Sequence, residues 1–163
     1  DLSMSDGSVA SDDSFAANVN SGARRVFKTP RLRPKQEDAI GRILLDPDCR
    51  GRLLIVDRTG GGKSLIVAMA SISVAGITLL LIPLLSLTAN QLSRLQRAIS
   101  EYGAVSAVHL DETSRHDLHS TVIPEMDSMR YESSSTLFLL CSPQFLVECS
   151  KFREALLRCN ERR

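Results

Sequence analysis

The amino-acid sequence predicts an α/β fold in which a parallel sheet is covered by helices on both faces. Short apolar runs alternate along the chain with longer segments of helical periodicity, which is typical of βαβ units. The segment from Ser64 to Ser93 contains no charged residue, as expected for a buried helix followed by a strand covered on both faces. A glycine-rich turn stands between the first predicted strand and that helix.

Each predicted strand is a short apolar run, and each predicted helix carries apolar residues three or four positions apart. The strands are residues 52–57, 77–83, 104–110 and 135–141, and the helices are residues 36–45, 64–75, 89–103 and 143–163. The last helix should face inward with Phe145, Cys149, Phe152, Leu156 and Cys159. The polar segment 116–135, broken by a proline, receives no assignment.

The composition predicts one domain behind an unstructured N-terminus. Residues 1–23 are rich in Ser, Asp, Ala, Asn and Gly, which predicts a disordered tail and leaves residues 24–163 as the folded part. The 20 basic and 19 acidic side chains nearly cancel, so the total charge indicates no partner. Four cysteines without a CxxC pair, three of them in apolar stretches, suggest a reducing compartment.

The charge-free run is also long enough to cross a bilayer, which takes roughly 20 apolar residues. Gly76 and Pro83 interrupt it at the two ends of a predicted strand. We therefore expect a buried helix and strand, and no membrane. The first twenty residues lack the apolar centre of a secretory signal.

Six basic residues cluster around two prolines ahead of the first helix. They are Arg24, Arg25, Lys28, Arg31, Arg33 and Lys35. A solvated linker is the ordinary interpretation of such a cluster, and a functional role for some of its members is the alternative.

The segment from Asp57 to Ser64 has the form of a phosphate-binding loop. Such a loop needs a strand, a glycine turn with Lys and Ser or Thr, and a helix that begins at that point. Glycines allow positive φ angles and let backbone N–H groups converge on a phosphate at the positive end of a helix. The residues expected to hold a nucleoside triphosphate are Thr59, Gly60, Gly61, Gly62, Lys63 and Ser64. Lys63 would contact the β and γ phosphates, and the Ser64 hydroxyl would bind Mg²⁺. The general pattern begins with Gly where this chain has Asp57.

Residues 32 to 146 resemble the RecQ-like branch of superfamily 2 DNA helicases. LRPKQ, residues 32–36, is similar to the adenine motif of that branch, with Leu32 in place of an aromatic residue. The resemblance implies that Arg33 and Gln36 bind the nucleotide and that Gln36 selects adenine. It also implies a RecA-like P-loop NTPase fold with ATP and Mg²⁺ as cofactors.

Two further segments are similar to that family. In PLLSLTANQ, residues 83–91, the resemblance implies that Ser86, Leu87 and Gln91 contact the phosphates of a DNA strand. A strand end followed by a helix cap would use the same residues. SPQFL, residues 142–146, departs from the family at Gln144 and Phe145, which puts a nucleic-acid contact there in doubt.

The family's Asp-Glu-x-His box, which holds the metal and aligns the attacking water, is expected beyond Arg163, so the catalytic residues are unknown. Asp111 and Glu112 follow a strand too early in the chain and are interpreted as a decoy. His109, His116 and His119 lack companions at zinc-ligand spacing and are assigned to a solvated loop.

The resemblance implies a partial helicase ATP-binding domain that binds ATP, and coupling of ATP hydrolysis to movement along DNA in a longer protein, with 3′–5′ polarity, acting on a single strand or a duplex junction. An intracellular, nuclear location is implied by the same resemblance. The alternatives are a helicase-derived module that binds nucleic acid or protein without motor activity, and a P-loop ATPase of another family. The oligomeric state is not predicted.

Overall fold

The computed structural model describes residues 17, 19–25, 27–46, 53–58, 60–83, 90, 92–93, 95–96, 105–129 and 135–160. The chain divides into two compact units, Asp1–Ser73 and Val74–Arg163. Each unit has its own apolar core.

The regular secondary structure of the first unit is helical in its described residues. Residues 19–25 form a helical segment, and helix α1 follows at Pro34–Leu45. Helix α2 spans Lys63–Val74 and carries the start of the charge-free run. These elements share a core of buried side chains: Val19, Ala23, Leu32, Ala39, Ile40, Ile66 and Met69. The helices predicted at residues 36–45 and 64–75 are thus confirmed.

The buried strand predicted at residues 52–57 is wrong for residues 53–57, which form no strand. Leu54 and Val56 are each 87% exposed, whereas Ile55 packs against the core of the first unit. The alternation is that of an extended segment with one face covered. A strand needs a neighbour to accept its backbone hydrogen bonds, and no other strand occurs among the described residues of this unit.

The disordered tail predicted for residues 1–23 falls largely outside the described residues. Residues 19–23 are described and are helical, with Val19 and Ala23 buried. The last part of the predicted tail is therefore packed structure. Val19 and Ala23 stand four residues apart, so they share one face of the helix.

The second unit is built on a three-stranded parallel sheet. Its strands are β1 (Gly76–Leu81), β2 (Val105–Leu110) and β3 (Thr136–Cys141), in the spatial order β1-β3-β2. Gly76 and Val105 both pair with Thr136, so the three strands run in step. The parallel α/β architecture and the strands predicted at 77–83, 104–110 and 135–141 are confirmed, while helices on both faces and the P-loop fold remain predictions.

The central strand β3 is buried along its whole length. Its six residues, TLFLLC, are apolar except for Thr136, which suits a strand with a neighbour on each side. Gly76, with φ of 102°, is the first residue of β1 and follows closely on the end of α2 at Val74, so the predicted change from helix to strand occurs at this glycine.

Helices pack against the sheet through a core that includes Leu118, Met126, Phe145 and Phe152. The segment left unassigned is helical in its described part up to Met129. It consists of Arg115–Asp117, a π-helical turn at Leu118–Val122, and helix α3 at Ile123–Met129.

The single helix predicted at residues 143–163 is wrong, because the described part forms two helices. They are α4 (Pro143–Glu148) and α5 (Ser150–Asn160), with the break at Cys149, whose φ and ψ of −91° and 88° are not helical. Phe145 and Phe152 point inward as predicted, and their rings lie 5.9 Å apart.

Most of the helix predicted at residues 89–103 lies outside the described residues. Residues 90, 92–93 and 95–96 are helical, and Leu95 is buried. In the described part of the chain, no helix combines the length and apolar character needed to cross a membrane.

Candidate functional site

The glycine-rich segment of the first unit forms a tight turn that leads directly into α2. Gly60 and Gly62 have φ angles of 81° and 91°, in the region that side chains disfavour. The Gly61 N–H donates to the Arg58 carbonyl at 3.0 Å and closes the turn. The N–H groups of Leu65 and Ile66 then donate to the Gly62 carbonyl, which begins the helix. The turn and helix expected of a phosphate loop are therefore formed, without the preceding strand.

The Lys63 ammonium folds back over this turn. Its Nζ donates to the Asp57 carbonyl at 2.7 Å and to the Arg58 carbonyl at 3.0 Å. An ammonium has three donors, so one remains beyond these two bonds. The lysine thus places a positive charge above the glycine turn, at the first residue of α2.

Gln36 connects the predicted adenine motif to the glycine turn. Its side chain is 5% exposed, and its Nε2 donates to the Gly61 carbonyl at 3.3 Å. Its Oε1 accepts from the Arg33 N–H at 2.9 Å, which ties it to the start of α1. A Cβ added at Gly62 would collide with the Gln36 Nε2. Residues separated by 25 positions in sequence therefore share one contact.

The carboxylate of Asp57 lies against the same turn. Its Oδ1 accepts from the Arg58 N–H at 2.8 Å, and a Cβ added at Gly61 would collide with its Oδ2. A negative charge thus stands beside the backbone that the sequence assigns to phosphate. That Asp57 stands where the general pattern has Gly is visible in the sequence, but the contact of its carboxylate with Gly61 is not.

The remaining predicted site residues divide into described and undescribed ones. Arg33 is exposed and precedes α1, and its carbonyl accepts from the N–H of Gln36 at 2.8 Å. Ser64 is exposed at the second residue of α2. The other predicted residues, Thr59, Ser86, Leu87 and Gln91, lie outside the described residues.

Asp111 has a local structural role in the second unit. Its Oδ1 accepts from the Thr113 hydroxyl at 2.6 Å and the Ser114 hydroxyl at 2.9 Å, and from the backbone N–H groups of both residues. The Thr113 hydroxyl, followed by the Ser114 bonds and the Thr113 N–H, lowers the pKa of Asp111 to about 2, although burial opposes the shift. The carboxylate therefore shapes the turn after β2, and Glu112 beside it is exposed.

His109 is the most enclosed histidine of this unit. Its Nδ1 lies 3.7 Å from Asp111 Oδ2, and its buried Nε2 has no hydrogen-bond partner among the described residues. His116 and His119 are exposed. No group of three or more His, Cys, Asp or Glu side chains able to hold a metal ion occurs within the described residues.

Asn20 is a site-organising residue that the sequence reasoning missed. Its Oδ1 accepts from the Leu32 N–H at 2.9 Å, and its Nδ2 donates to Glu37 Oε1 at 2.7 Å. These bonds join the helical segment 19–25 to the adenine-motif segment. The spacing of Val19 and Ala23 is the sequence signal that could have revealed this helix.

Curated proteins resemble the chain along most of its length, whereas no protein-family model matches it. The chain is 27% identical over 150 residues to the ATP-dependent DNA helicase Q1 of Rattus norvegicus. The aligned region makes up 92% of this chain and 22% of the relative. The Mus musculus protein of the same name is 27% identical, covering 92% of the chain and 21% of the relative. The Pongo abelii protein of the same name is 26% identical, and the aligned region makes up 93% of this chain and 22% of the relative.

The chain thus spans about a fifth of the length of these curated relatives. The alignment includes the motifs quoted above, since it leaves less than a tenth of the chain unmatched. The resemblance to RecQ-like ATP-dependent DNA helicases that the sequence motifs indicate is therefore confirmed.

Proposed function

We propose that this chain binds ATP through residues 57–64 and Gln36, and that it serves as part of the motor of a RecQ-like DNA helicase. The observation that carries the proposal is the contact between Gln36 and the Gly61 carbonyl. It joins two motifs that the family resemblance assigns to the same nucleotide. The names of the relatives, which specify ATP and DNA, support the same function.

The residues of the turn are suited to hold a triphosphate. Positive φ angles at Gly60 and Gly62 turn backbone groups toward the start of α2, where the partial positive charge of the helix favours anions. Lys63 moves its ammonium from the loop carbonyls to the phosphates, and its third donor allows this exchange to begin before either bond is lost. Ser64 supplies a hydroxyl to Mg²⁺, which neutralises phosphate charge when bound.

Gln36 has the hydrogen-bonding capacity to read adenine without leaving its place. An amide oxygen can accept twice and an amide nitrogen can donate twice. Each atom of Gln36 uses one bond within the protein, to Arg33 and Gly61. One acceptor and one donor remain, which is the pair needed for the N6 and N7 edge of adenine. Guanine presents acceptors at both O6 and N7, so GTP would offer no donor to the amide oxygen of Gln36 and is disfavoured.

In the full-length protein, DNA-stimulated ATP hydrolysis tests the motor assignment. Turnover that rises with single-stranded DNA and is abolished by Lys63→Ala supports it. Lys151→Ala, an exposed lysine on α5, is the matched control and should leave turnover unchanged. Absence of an Asp-Glu-x-His box in the coding sequence shortly after Arg163 would overturn the helicase assignment.

A second candidate function is a binding module without motor activity. Asp57 favours it, because a carboxylate beside Gly61 opposes a triphosphate. Strand binding with no ATP turnover in the same assay would support the module. Unchanged adenine preference in Gln36→Ala would instead favour a P-loop ATPase of another family.

A further inference from the structure

The first unit contains a basic cavity that the nucleotide site does not use. The cavity has a volume of about 560 Å³, and its lining includes Asn20, Ser21, Arg24, Arg25, Arg31 and Glu37. This volume lies within the usual range of ligand pockets, about 300–1,000 Å³. The described lining residues include three arginines and one carboxylate, which gives them a net charge of +2.

The wall of the cavity is held in place by contacts within the unit. Asn20 bonds to the Leu32 N–H and to Glu37, while Val19 and Ala23 anchor the same helical segment in the core. The Arg24 Nε donates to the Pro30 carbonyl at 2.7 Å, which orients its guanidinium. Ordering of these groups before binding reduces the entropy that a ligand must overcome.

Arg24 and Arg31 retain donors for a ligand. Among described residues, the terminal nitrogens of Arg24 make no hydrogen bond. Arg31 is 77% exposed, and its Nε lies 3.8 Å from Glu37 Oε1, a long ion pair that competes weakly with a ligand. Glu37 already accepts a shorter bond from Asn20 at 2.7 Å.

We propose that this cavity binds the phosphate backbone of a nucleic-acid strand. Arg guanidinium groups bind phosphate in a bidentate manner, and Ser and Asn side chains commonly add neutral contacts to phosphate oxygens. The described lining residues combine these types and include no aromatic side chain on which a base could stack. The inference rests on the proposed function for the nature of the strand, and assigns it a contact separate from Ser86, Leu87 and Gln91.

Binding of a fluorescent single-stranded oligonucleotide to the 163-residue chain, measured by anisotropy over a range of salt concentrations, tests the inference. The Arg24→Gln/Arg31→Gln double variant should bind about tenfold more weakly. Its slope of log K against log salt should be shallower by about 1.4, since each lost phosphate contact removes about 0.7 on a single strand. Arg42→Gln, in the same unit but outside the cavity, is the matched control.

A second variant changes the charge in the opposite direction. Glu37→Gln keeps an oxygen to accept from Asn20 and removes the acidic charge found among the described lining residues, so strand affinity should rise several-fold. Asp38→Asn removes the same charge from the exposed side of α1 and should have a smaller effect. Because a misfolded variant could not gain affinity, this arm separates binding from loss of structure.

Equal affinity and slope in the double variant and its control would overturn the inference while leaving the proposed function intact. No binding of the strand by the unmodified chain would overturn both the inference and DNA binding by this part of the chain. If the double variant loses ATP binding while its strand binding is unchanged, the cavity would be assigned to the nucleotide. Polyglutamate and unlabelled oligonucleotide can be compared as competitors at equal charge. If polyglutamate displaces the labelled strand as efficiently as the oligonucleotide does, the cavity would be assigned to acidic peptides.

Discussion

Two side chains determine the character of the glycine turn, and they act in opposite directions. Gln36 donates to the Gly61 carbonyl, which joins the adenine motif to the phosphate loop. Asp57 places a carboxylate against the same glycine. Under the proposed function, the first contact should favour an adenine nucleotide, and the second should weaken the attraction of the turn for phosphate.

Removal of the Asp57 charge should strengthen ATP binding. Asp57→Asn keeps an oxygen that can accept from the Arg58 N–H and eliminates repulsion between carboxylate and phosphate. We expect a roughly three- to tenfold gain in affinity, because exposed charges interact through solvent. Titration with a fluorescent ATP analogue measures it, with Asp38→Asn as the charge-matched control. Equal or weaker binding would show that Asp57 is not the opposing charge.

Asp111 should contribute to stability in a way that depends on pH. Its pKa is about 2 in the folded chain, below the ordinary value of 3.8. The contribution is therefore complete above the ordinary pKa and is lost as pH falls toward 2. Asp111→Asn should lower the free energy of unfolding by about 1 kcal/mol at pH 7 and by progressively less below pH 4. Urea denaturation at pH 7 and below pH 4 measures the difference in the free energy of unfolding between Asp111→Asn and the unmodified chain. A difference that is the same at both pH values would contradict this role of Asp111.

At the scale of the element, the break between α4 and α5 depends on local hydrogen bonds. The Ser142 hydroxyl accepts from the Phe145 N–H at 3.0 Å and caps the start of α4. At the other end, Arg153 Nη1 donates to the carbonyls of Leu146 and Val147. The periodicity of apolar residues continues through Cys149, so the sequence pattern alone indicates one helix.

Loss of the Ser142 cap should destabilise the second unit. Ser142→Ala removes the acceptor for the Phe145 N–H and should cost about 1 kcal/mol. Ser142→Asp, which also caps helices well, should restore most of this loss. Thermal unfolding followed by circular dichroism compares the variants. An alanine variant as stable as the unmodified chain would show that solvent satisfies that N–H equally well.

The sequence predicted the elements whose signal is local and missed those that depend on distant partners. Strands β1, β2 and β3 were predicted because each is a short apolar run between turn residues. Residues 53–57 have the same pattern, but a strand also requires a neighbouring strand to pair with. The local sequence pattern does not show whether such a neighbour is present. The Gln36 contact could be anticipated only through the family resemblance, because 25 residues separate its partners. The helical segment 19–25 was missed because its polar composition outweighed two buried residues.

At the scale of the whole molecule, the chain has two cores, and both the proposed nucleotide site and the basic cavity belong to the first unit. The first core supports the glycine turn, Gln36 and the basic cavity. The second core surrounds β3, whose side chains Leu137 and Cys141 are fully buried. The candidate nucleotide site therefore depends on the packing of helices around Ile40 and Ile66.

Cys141 should report the stability of the second core. Burial raises the pKa of its thiol to about 11, so almost no reactive thiolate forms near neutral pH. We expect Cys141 to resist iodoacetamide at pH 8 in the folded chain and to react after addition of denaturant. Peptide mass spectrometry distinguishes it from the half-buried Cys149. Equal labelling of the two cysteines without denaturant would contradict the burial of β3.

The affinity of this chain for ATP, measured by calorimetric titration in the presence of Mg²⁺, tests the central claim most directly. We expect measurable binding that Lys63→Ala weakens by about tenfold or more, because a charged hydrogen bond to phosphate is lost. Lys151→Ala should bind as the unmodified chain does. Equal ATP affinity in Lys63→Ala and the unmodified chain would contradict the assignment of residues 57–64 to the triphosphate.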